Sequence, residues 1–265
     1  MIIKWAGGKN WLYKKHKNIF PDSYNNYIEP FFGGGSVFFN MFPKKAYLSD
    51  VNEKLINFYI DLKDHPEKLF QGVNRLIESH SDEQYYAVRD KFNNQRITSS
   101  IYFLYLNRTC FNGIYRENRK GEFNVPVGRR KSSYFPFTMK DFLQLSFQLK
   151  NTNLQNCDFR EALKMAKKGD FIYLDPPYIE FEKEYDSFRR YNGVVFSKSD
   201  LEELALEANR LKGKCKILIS NFDQRGVKDY FTEKEWKFKS IKQMTYLSGK
   251  KEGRKYMNEA LIYNY

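Results

Sequence analysis

Cysteine is scarce in this chain. Cys110, Cys157 and Cys215 stand far apart, with no CxxC pair and an odd count, which argues against a disulfide framework or a zinc cluster. Histidine is equally scarce, and His16, His65 and His80 show no metal-ligand spacing, so no metal is expected. No apolar run is long enough to span a membrane. Met1 leads straight into strand- and loop-forming sequence without a signal region, so a reduced, soluble protein of the cytoplasm is expected. There is no internal repeat and no low-complexity tract. Acids are also in deficit, with 32 Asp plus Glu against 45 Lys plus Arg and a net charge of +13. That excess favours a polyanionic partner, because each neutralised phosphate releases condensed counterions. A basic surface with no dedicated partner would carry the same charge.

What the chain has in quantity is aromatic side chains. Its 24 Phe and 20 Tyr are too many for a disordered basic tail, and suit both core packing and stacking on bases. At 265 residues it can form one large domain or a domain with an insert.

The N-terminal segment carries Lys4-Trp5-Ala6-Gly7-Gly8-Lys9, a loop whose backbone can lie close to a ligand. It is not a P-loop, since GxxxxGK[ST] is not met. A short strand at 27–30 runs into Phe31-Phe32-Gly33-Gly34-Gly35-Ser36, with Ser36 the expected N-cap of a helix. A second strand, 46–49, ends at Asp50, and Asn52 opens a helix to Leu62. Strand, glycine turn, helix, strand is the first half of an open α/β sheet, where ligands lie outside the carboxyl ends of the strands. The turn lets backbone approach a ligand, and an acid such as Asp50 can take both hydroxyls of a ribose. Asp50 could equally cap the following helix.

From 55 to 150 the pattern changes. Helical spacing of apolar residues recurs over 55–62, 66–77, 82–92 and 99–106. A non-helical stretch follows, rich in aromatics, Asn, Gly and Arg, reading as a hairpin or extended loop through Lys131. It holds six basic residues between 116 and 131 against two acids. Arg can grip guanine and Asn adenine, and aromatics can wedge between bases. A solvated basic hairpin is the plainer alternative.

The α/β pattern returns after 150. Strands are expected at 154–156, 170–174 and 215–220. Helices are expected over 160–168 and from a Ser199 cap to Leu211, and paired edge strands at 236–242 and 256–264. The stretch 179–197 resembles a loop. The strand at 170–174 stops at Asp175-Pro176-Pro177-Tyr178. Two prolines cannot continue a ladder. A carboxylate, a preset carbonyl and an aromatic face can grip a flat amine-bearing ring; a strand followed by a Pro-Pro turn with an N-terminal acid is the plainer alternative.

Together these motifs resemble the Dam-type, D12-class adenine-N6 DNA methyltransferases of the group with cofactor motifs first, target recognition in the middle and catalysis last. The likeness spans nearly the whole chain: 4–9, 29–36, 48–52, 107–116, 121–128, Asp158-Phe159 and Asp175 to Tyr178. It implies an α/β, Rossmann-like sheet (1–53 and 151–265) with an inserted, mostly helical target-recognition domain (54–150) carrying a β-hairpin. It implies S-adenosyl-L-methionine as cofactor, held by Trp5, Ala6, Gly7, Lys9, Phe32, Gly33, Gly35, Ser36, Asp50, Asp158, Phe159 and Asp175. The partner implied is double-stranded DNA. Arg116 would read a guanine, Phe111 would insert into the stack, and Arg108, Asn112, Ile114, Asn124, Pro126 and Arg130 would complete the DNA contacts, as in enzymes reading GATC. Some relatives have an aromatic where Arg130 stands. Asp175, Pro176 and Tyr178 would act on adenine N6. A bacterial or phage-encoded monomer is expected, free-standing or within a restriction-modification pair. An RNA or free-nucleobase methyltransferase, and a catalytically silent DNA-binding relative, are the competing readings.

Overall fold

Seven strands form one sheet in the computed structural model: β1 (Tyr27–Glu29), β2 (Ala46–Asp50), β3 (Thr152–Asn156), β4 (Phe171–Leu174), β5 (Lys216–Phe222), β6 (Lys237–Met244) and β7 (Tyr256–Tyr263). Their order is β3-β2-β1-β4-β5-β7-β6. The structure describes residues 1–94, 99–128, 135–179, 196–223, 225–231, 235–244 and 256–265. The first five strands are parallel, and β7 runs antiparallel between β5 and β6. Winding goes one way from β1 to β3 and the other way from β4 to β5. The reversal lies between β1 and β4, and in open α/β sheets ligands bind outside the strand carboxyl ends at such a switch point.

Strands buried on both faces read as continuous apolar runs, and β4, Phe-Ile-Tyr-Leu, is wholly buried. Alternate side chains feed two cores. Tyr27, Phe171, Tyr173, Leu218 and Leu261 point to one, and Ile28, Ile172, Leu174, Ile219 and Ile262 to the other. The first is covered by α1 (Asn10–His16), α2 (Ser36–Met41) and the helices that follow β2. The second is covered by α8 (Phe159–Lys164), α9 (Lys198–Leu211) and Trp236. A short α10 (Arg225–Lys228) adds Val227 to it.

Between β2 and β3 the chain makes α3 (Glu53–Asp64), α4 (Pro66–Glu78), α5 (Asp82–Asn94), α6 (Ser100–Thr109) and α7 (Met139–Leu149). Each start has a local reason. Asn52 caps α3 by accepting from Leu55 N, Pro66 opens α4, Ser99 caps α6, and Thr138 with Asp141 forms a capping box on α7. Phe58, Phe103 and Phe142 of these helices are buried in the same core as the sheet's first face. Each contributes about 1.5–3 kcal/mol of transfer free energy, which fixes the segment to the sheet.

Four expectations need correction. Ser36 is the first helical residue of α2; the cap is Gly35 at φ +63°, without a side-chain bond. Ser197, not Ser199, caps α9, because Asp200 sits three residues on and closes a capping box. The helix expected over 160–168 ends at Lys164. Only β6 of the last pair is an edge, since β7 pairs on both sides. The loop expected at 179–197 lies mostly outside the described residues.

Candidate active site

Four strand ends meet at the reversal. Asp175 follows β4, and its carboxylate is fully engaged. Lys9 Nζ lies 2.9 Å from Oδ1 and 3.0 Å from Oδ2. Ser220 of β5 donates to Oδ1 at 2.9 Å, with the Tyr173 hydroxyl 3.0 Å behind Ser220. The Tyr178 hydroxyl donates to Oδ1 at 3.4 Å, and Lys9 Nζ sits 4.9 Å from the Tyr178 ring centroid. Lys9 is only 4% exposed and also donates to the Gly7 carbonyl at 2.9 Å. Burial works against its charge, but Asp175 and Glu259 outweigh burial and hold Lys9 above the ordinary lysine value. Burial, then the neighbouring acids, hold the Tyr178 phenol well above its ordinary value, so it is a neutral donor. Pro176 is buried.

Asp50 ends β2. Its Oδ2 accepts from Gly33 N at 2.9 Å and its Oδ1 from Asn52 N at 2.9 Å. Burial pushes its carboxyl up to about 6, against the pull of those two N–H groups. The glycine turn is pinned from below by the Tyr59 hydroxyl, which donates to the Gly33 carbonyl at 3.0 Å. A Cβ on Gly35 would fall 2.8 Å from the rings of Phe32 and Phe39, and φ there is +63°, so glycine is required. A Cβ on Gly33 would fall 3.0 Å from the Trp5 indole; the turn lies flat against that ring. Trp5 is half-buried, while Ala6 and Gly7 are exposed. Ser36 is buried at the start of α2, and the Phe32 side chain packs on Tyr59 in the core, so Phe32 offers the switch point its backbone.

Beyond β3, Asp158 caps α8 by accepting from Arg160 N at 2.9 Å and pairs with the Arg160 guanidinium at 3.0 Å on the same oxygen. Its side chain keeps 40% exposure. Phe159 is buried beneath Phe31, the rings stacked at 5.5 Å, with Phe196 edge-on to Phe31. Phe31, just after β1, is half-exposed, and its ring is the more open of the stacked pair.

The stretch from Cys110 to Val127 folds back on itself through single antiparallel bridges, Cys110 to Val127 and Glu117 to Phe123. It is a hairpin held by isolated bridges, without regular strands. Tyr115, Phe123 and Val125 face inward, while Phe111, Asn112, Ile114, Arg116 and Pro126 are exposed. Arg116 Nε donates to Asn124 Oδ1 at 2.8 Å. Arg108 is half-buried, its guanidinium 5.1 Å from the Phe137 ring. Arg130 lies outside the described residues. Asn107 ties this stretch to the N-terminal loop, accepting from Lys4 N at 2.8 Å and donating to Lys4 O at 2.7 Å, and Tyr115 stacks on Trp5 at 5.4 Å.

Sequence reading missed Phe31, Ser220 and Glu259 as site residues. Ser220 and Glu259 each stand in phase with a core leucine, Leu218 and Leu261, on the inward face of a buried strand. A polar residue in an inward phase is a readable signal. Cys110 and Cys215 are buried and Cys157 half-buried, all as free thiols; burial pushes the Cys110 thiol up to about 12, so it is no nucleophile. Among the described residues no group of three or more His, Cys, Asp or Glu is placed to hold a metal. Among them, too, no helix is long and apolar enough to cross a membrane.

The reversed winding and the acids on its strand ends define a doubly wound α/β protein with carboxylates gathered at the switch point. Residues 5–247 match the family of D12 class N6 adenine-specific DNA methyltransferases. The chain is 32% identical over 274 residues to the Type II methyltransferase M1.LlaDCHI of Lactococcus lactis subsp. cremoris, covering 100% of this chain and 95% of that one. It is 34% identical over 268 residues to the DNA adenine methylase of Haemophilus influenzae, covering 98% and 92%. It is 35% identical over 236 residues to the DNA N-6-adenine-methyltransferase of Escherichia phage P1, covering 87% of this chain and 31% of that one. The chain belongs to the D12 class of N6 adenine-specific DNA methyltransferases and is a DNA adenine methyltransferase.

Proposed function

We propose that this enzyme transfers a methyl group from S-adenosylmethionine to adenine N6 within duplex DNA, at GATC, with the target base turned out of the helix. The observation that carries the reading is the meeting of Asp175, Pro176, Tyr178 and Lys9 at the switch point, beside Asp50 and the glycine turn. The donor set suits the cofactor. Each Asp50 oxygen takes one backbone N–H and keeps a lone pair for a diol. The Lys9–Asp175 pair suits an amino-acid zwitterion, while Phe31 and Asp158 offer a face and an acceptor to a purine. When bound, S-adenosylmethionine supplies an electrophilic methyl on a sulfonium sulfur.

The chain's own work is on the amine. An adenine N6 lone pair is delocalised into its ring. The Asp175 carboxylate and the Pro176 carbonyl accept its two N–H bonds, which localises that lone pair toward the methyl. Both acceptors are fixed before reaction, which is electrostatic preorganisation, and alignment adds a proximity effect. Tyr178 stacks on the base. Unstacking costs roughly a few kcal/mol, and an exposed Phe111 beside Asn112 is suited to fill the gap. Arg116 reads a guanine. Because one basic hairpin per chain needs no second copy, the enzyme acts as a monomer.

The test is tritiated-methyl transfer to unmethylated duplexes with and without GATC. GATC-dependent incorporation is expected, and Asp175→Ala should abolish it while duplex binding persists. Equal incorporation into both duplexes would sink the GATC assignment; tight binding without incorporation would leave a silent DNA-binding protein.

A further inference from the structure

Asp175 is loaded unevenly. Its Oδ1 takes Ser220 at 2.9 Å, Tyr178 at 3.4 Å and Lys9 at 2.9 Å. Its Oδ2 takes Lys9 at 3.0 Å. A target amine that donates to this carboxylate has room on Oδ2 alone, beside Lys9, since an oxygen with one donor keeps a lone pair. Lys9 is buried, so its ammonium cannot simply be released without stranding a charge.

A second carboxylate stands beside it. Glu259 of β7 is 9% exposed, and its Oε1 lies 3.7 Å from Lys9 Nζ. That oxygen is buried and makes no hydrogen bond. A buried, unmatched acceptor is uncommon in a folded protein. Here it faces the ammonium that would share Asp175 Oδ2 with an incoming amine. A shift of about 1 Å, from 3.7 Å to an ordinary charged contact of about 2.8 Å, would close that contact. The Tyr178 hydroxyl lies within reach of both acids.

We propose that Glu259 is a positioning residue: it receives the Lys9 ammonium as the target amine takes Asp175 Oδ2. Lys9 exchanges one carboxylate for another, so no buried charge is left alone. The free enzyme keeps Asp175 paired, and the loaded enzyme keeps Lys9 paired. This inference rests on the methyl-transfer reading of the Asp175 site.

The surroundings give the exchange a pH signature. Lys9 faces Glu259 from the N-terminal segment, and Asp175 and Tyr178 face it from the turn after β4. Glu29, buried at the end of β1, faces Asp175. The neighbours of Glu259 on β5 and β6 are the apolar Phe222 and Ile241. Burial pushes the Glu259 carboxyl up to about 7, with Lys9 opposing and Asp175 adding. Only its ionised form can attract Lys9 strongly.

The test compares full-length wild type, Glu259→Gln and Glu259→Asp. Single-turnover methyl transfer is followed against pH, and the ¹³Cε signal of Lys9 is followed with and without a GATC duplex plus S-adenosylhomocysteine. Wild-type rate should rise through an inflection near the Glu259 value of about 7, and its Lys9 signal should move on loading. Glu259→Gln should slow transfer on the order of 10- to 100-fold, lose the inflection and leave the Lys9 signal unmoved, with duplex binding retained. Glu259→Asp should recover part of the rate and the inflection. A Glu259→Gln enzyme with wild-type rate and profile would overturn the inference. So would a wild-type Lys9 signal that loading does not move, and that measurement stands even if the Gln variant fails to fold. Absence of transfer by the wild type would instead remove the methyl-transfer reading, and this inference with it.

Discussion

Asp50→Asn should stabilise the ligand-free enzyme while weakening cofactor binding. Burial raises the Asp50 carboxyl from 3.8 to about 6, so the folded protein holds this proton more tightly than the unfolded chain does. At low pH both states carry the proton and the group contributes nothing. As pH rises from about 4 to about 6 the unfolded chain gains by ionising first, and stability falls. Above about 6 the cost is constant. A shift of this size corresponds to roughly 3 kcal/mol as an upper bound. Asn approximates the neutral carboxyl and is spared that cost. It leaves one of the two N–H groups, Gly33 or Asn52, facing an amide NH₂, and the loss takes back about 1–2 kcal/mol. A net gain of about 1–2 kcal/mol above pH 6 is left; toward pH 4 the ionisation cost vanishes while the lost hydrogen bond remains, so the difference changes sign.

Urea unfolding of both proteins without ligand, from pH 4 to 8, measures the difference directly. If Asp50→Asn is less stable than wild type at pH 7.5, and by the same amount at pH 4, burial does not dominate this carboxylate and the reasoning fails. The same variant should bind S-adenosylmethionine more weakly by about 1.5–3 kcal/mol for each charged acceptor lost to the diol. Unchanged affinity by calorimetry would remove Asp50 from the cofactor's ribose.

Most of the sheet could be read in advance because its strands are short apolar runs punctuated by glycine, proline or an acid. Asp50 and Asp175 were legible for the same reason: an acid that ends an apolar run falls at a strand's carboxyl end. The place of β7 was not legible, since alternation identifies a strand and says nothing of its neighbours. Because β7 enters between β5 and β6, Glu259 arrives beside Lys9, 250 residues distant in sequence. The burial of Phe159 depends on Phe31 and Phe196 closing over it, which no local pattern encodes. The Ser197 cap was readable and misplaced: Ser197 stands just before α9 and Ser199 just inside it, and Asp200 at the third helical position selects the earlier one.

Gly35→Ala combines φ +63° with a Cβ 2.8 Å from two rings and should cost about 1–3 kcal/mol; an unchanged urea midpoint would show that the turn can relax. Arg116→Ala should lose about 1–3 kcal/mol of discrimination at one guanine, read by competition between GATC and guanine-substituted duplexes; equal loss on both would make Arg116 a phosphate contact. The last prediction concerns how the 110–127 hairpin is held to α3 and the N-terminal loop. The Glu117 side chain is 6% exposed and takes two donors on one oxygen, the Tyr115 hydroxyl at 2.6 Å and Lys54 Nζ at 2.6 Å. Lys54, on α3 close behind Asp50, also holds the Gly121 carbonyl at the hairpin tip at 2.9 Å, and Tyr115 carries the link to Trp5 by stacking. Lys54→Ala leaves the Glu117 charge buried with only a neutral donor, a loss of about 3–5 kcal/mol. Adding Glu117→Gln removes that charge, so the double variant should be more stable than Lys54→Ala alone. If the two substitutions simply add in a double-mutant cycle, the pair is not coupled, and the hairpin is held by Tyr115, Phe123 and Val125 packing instead.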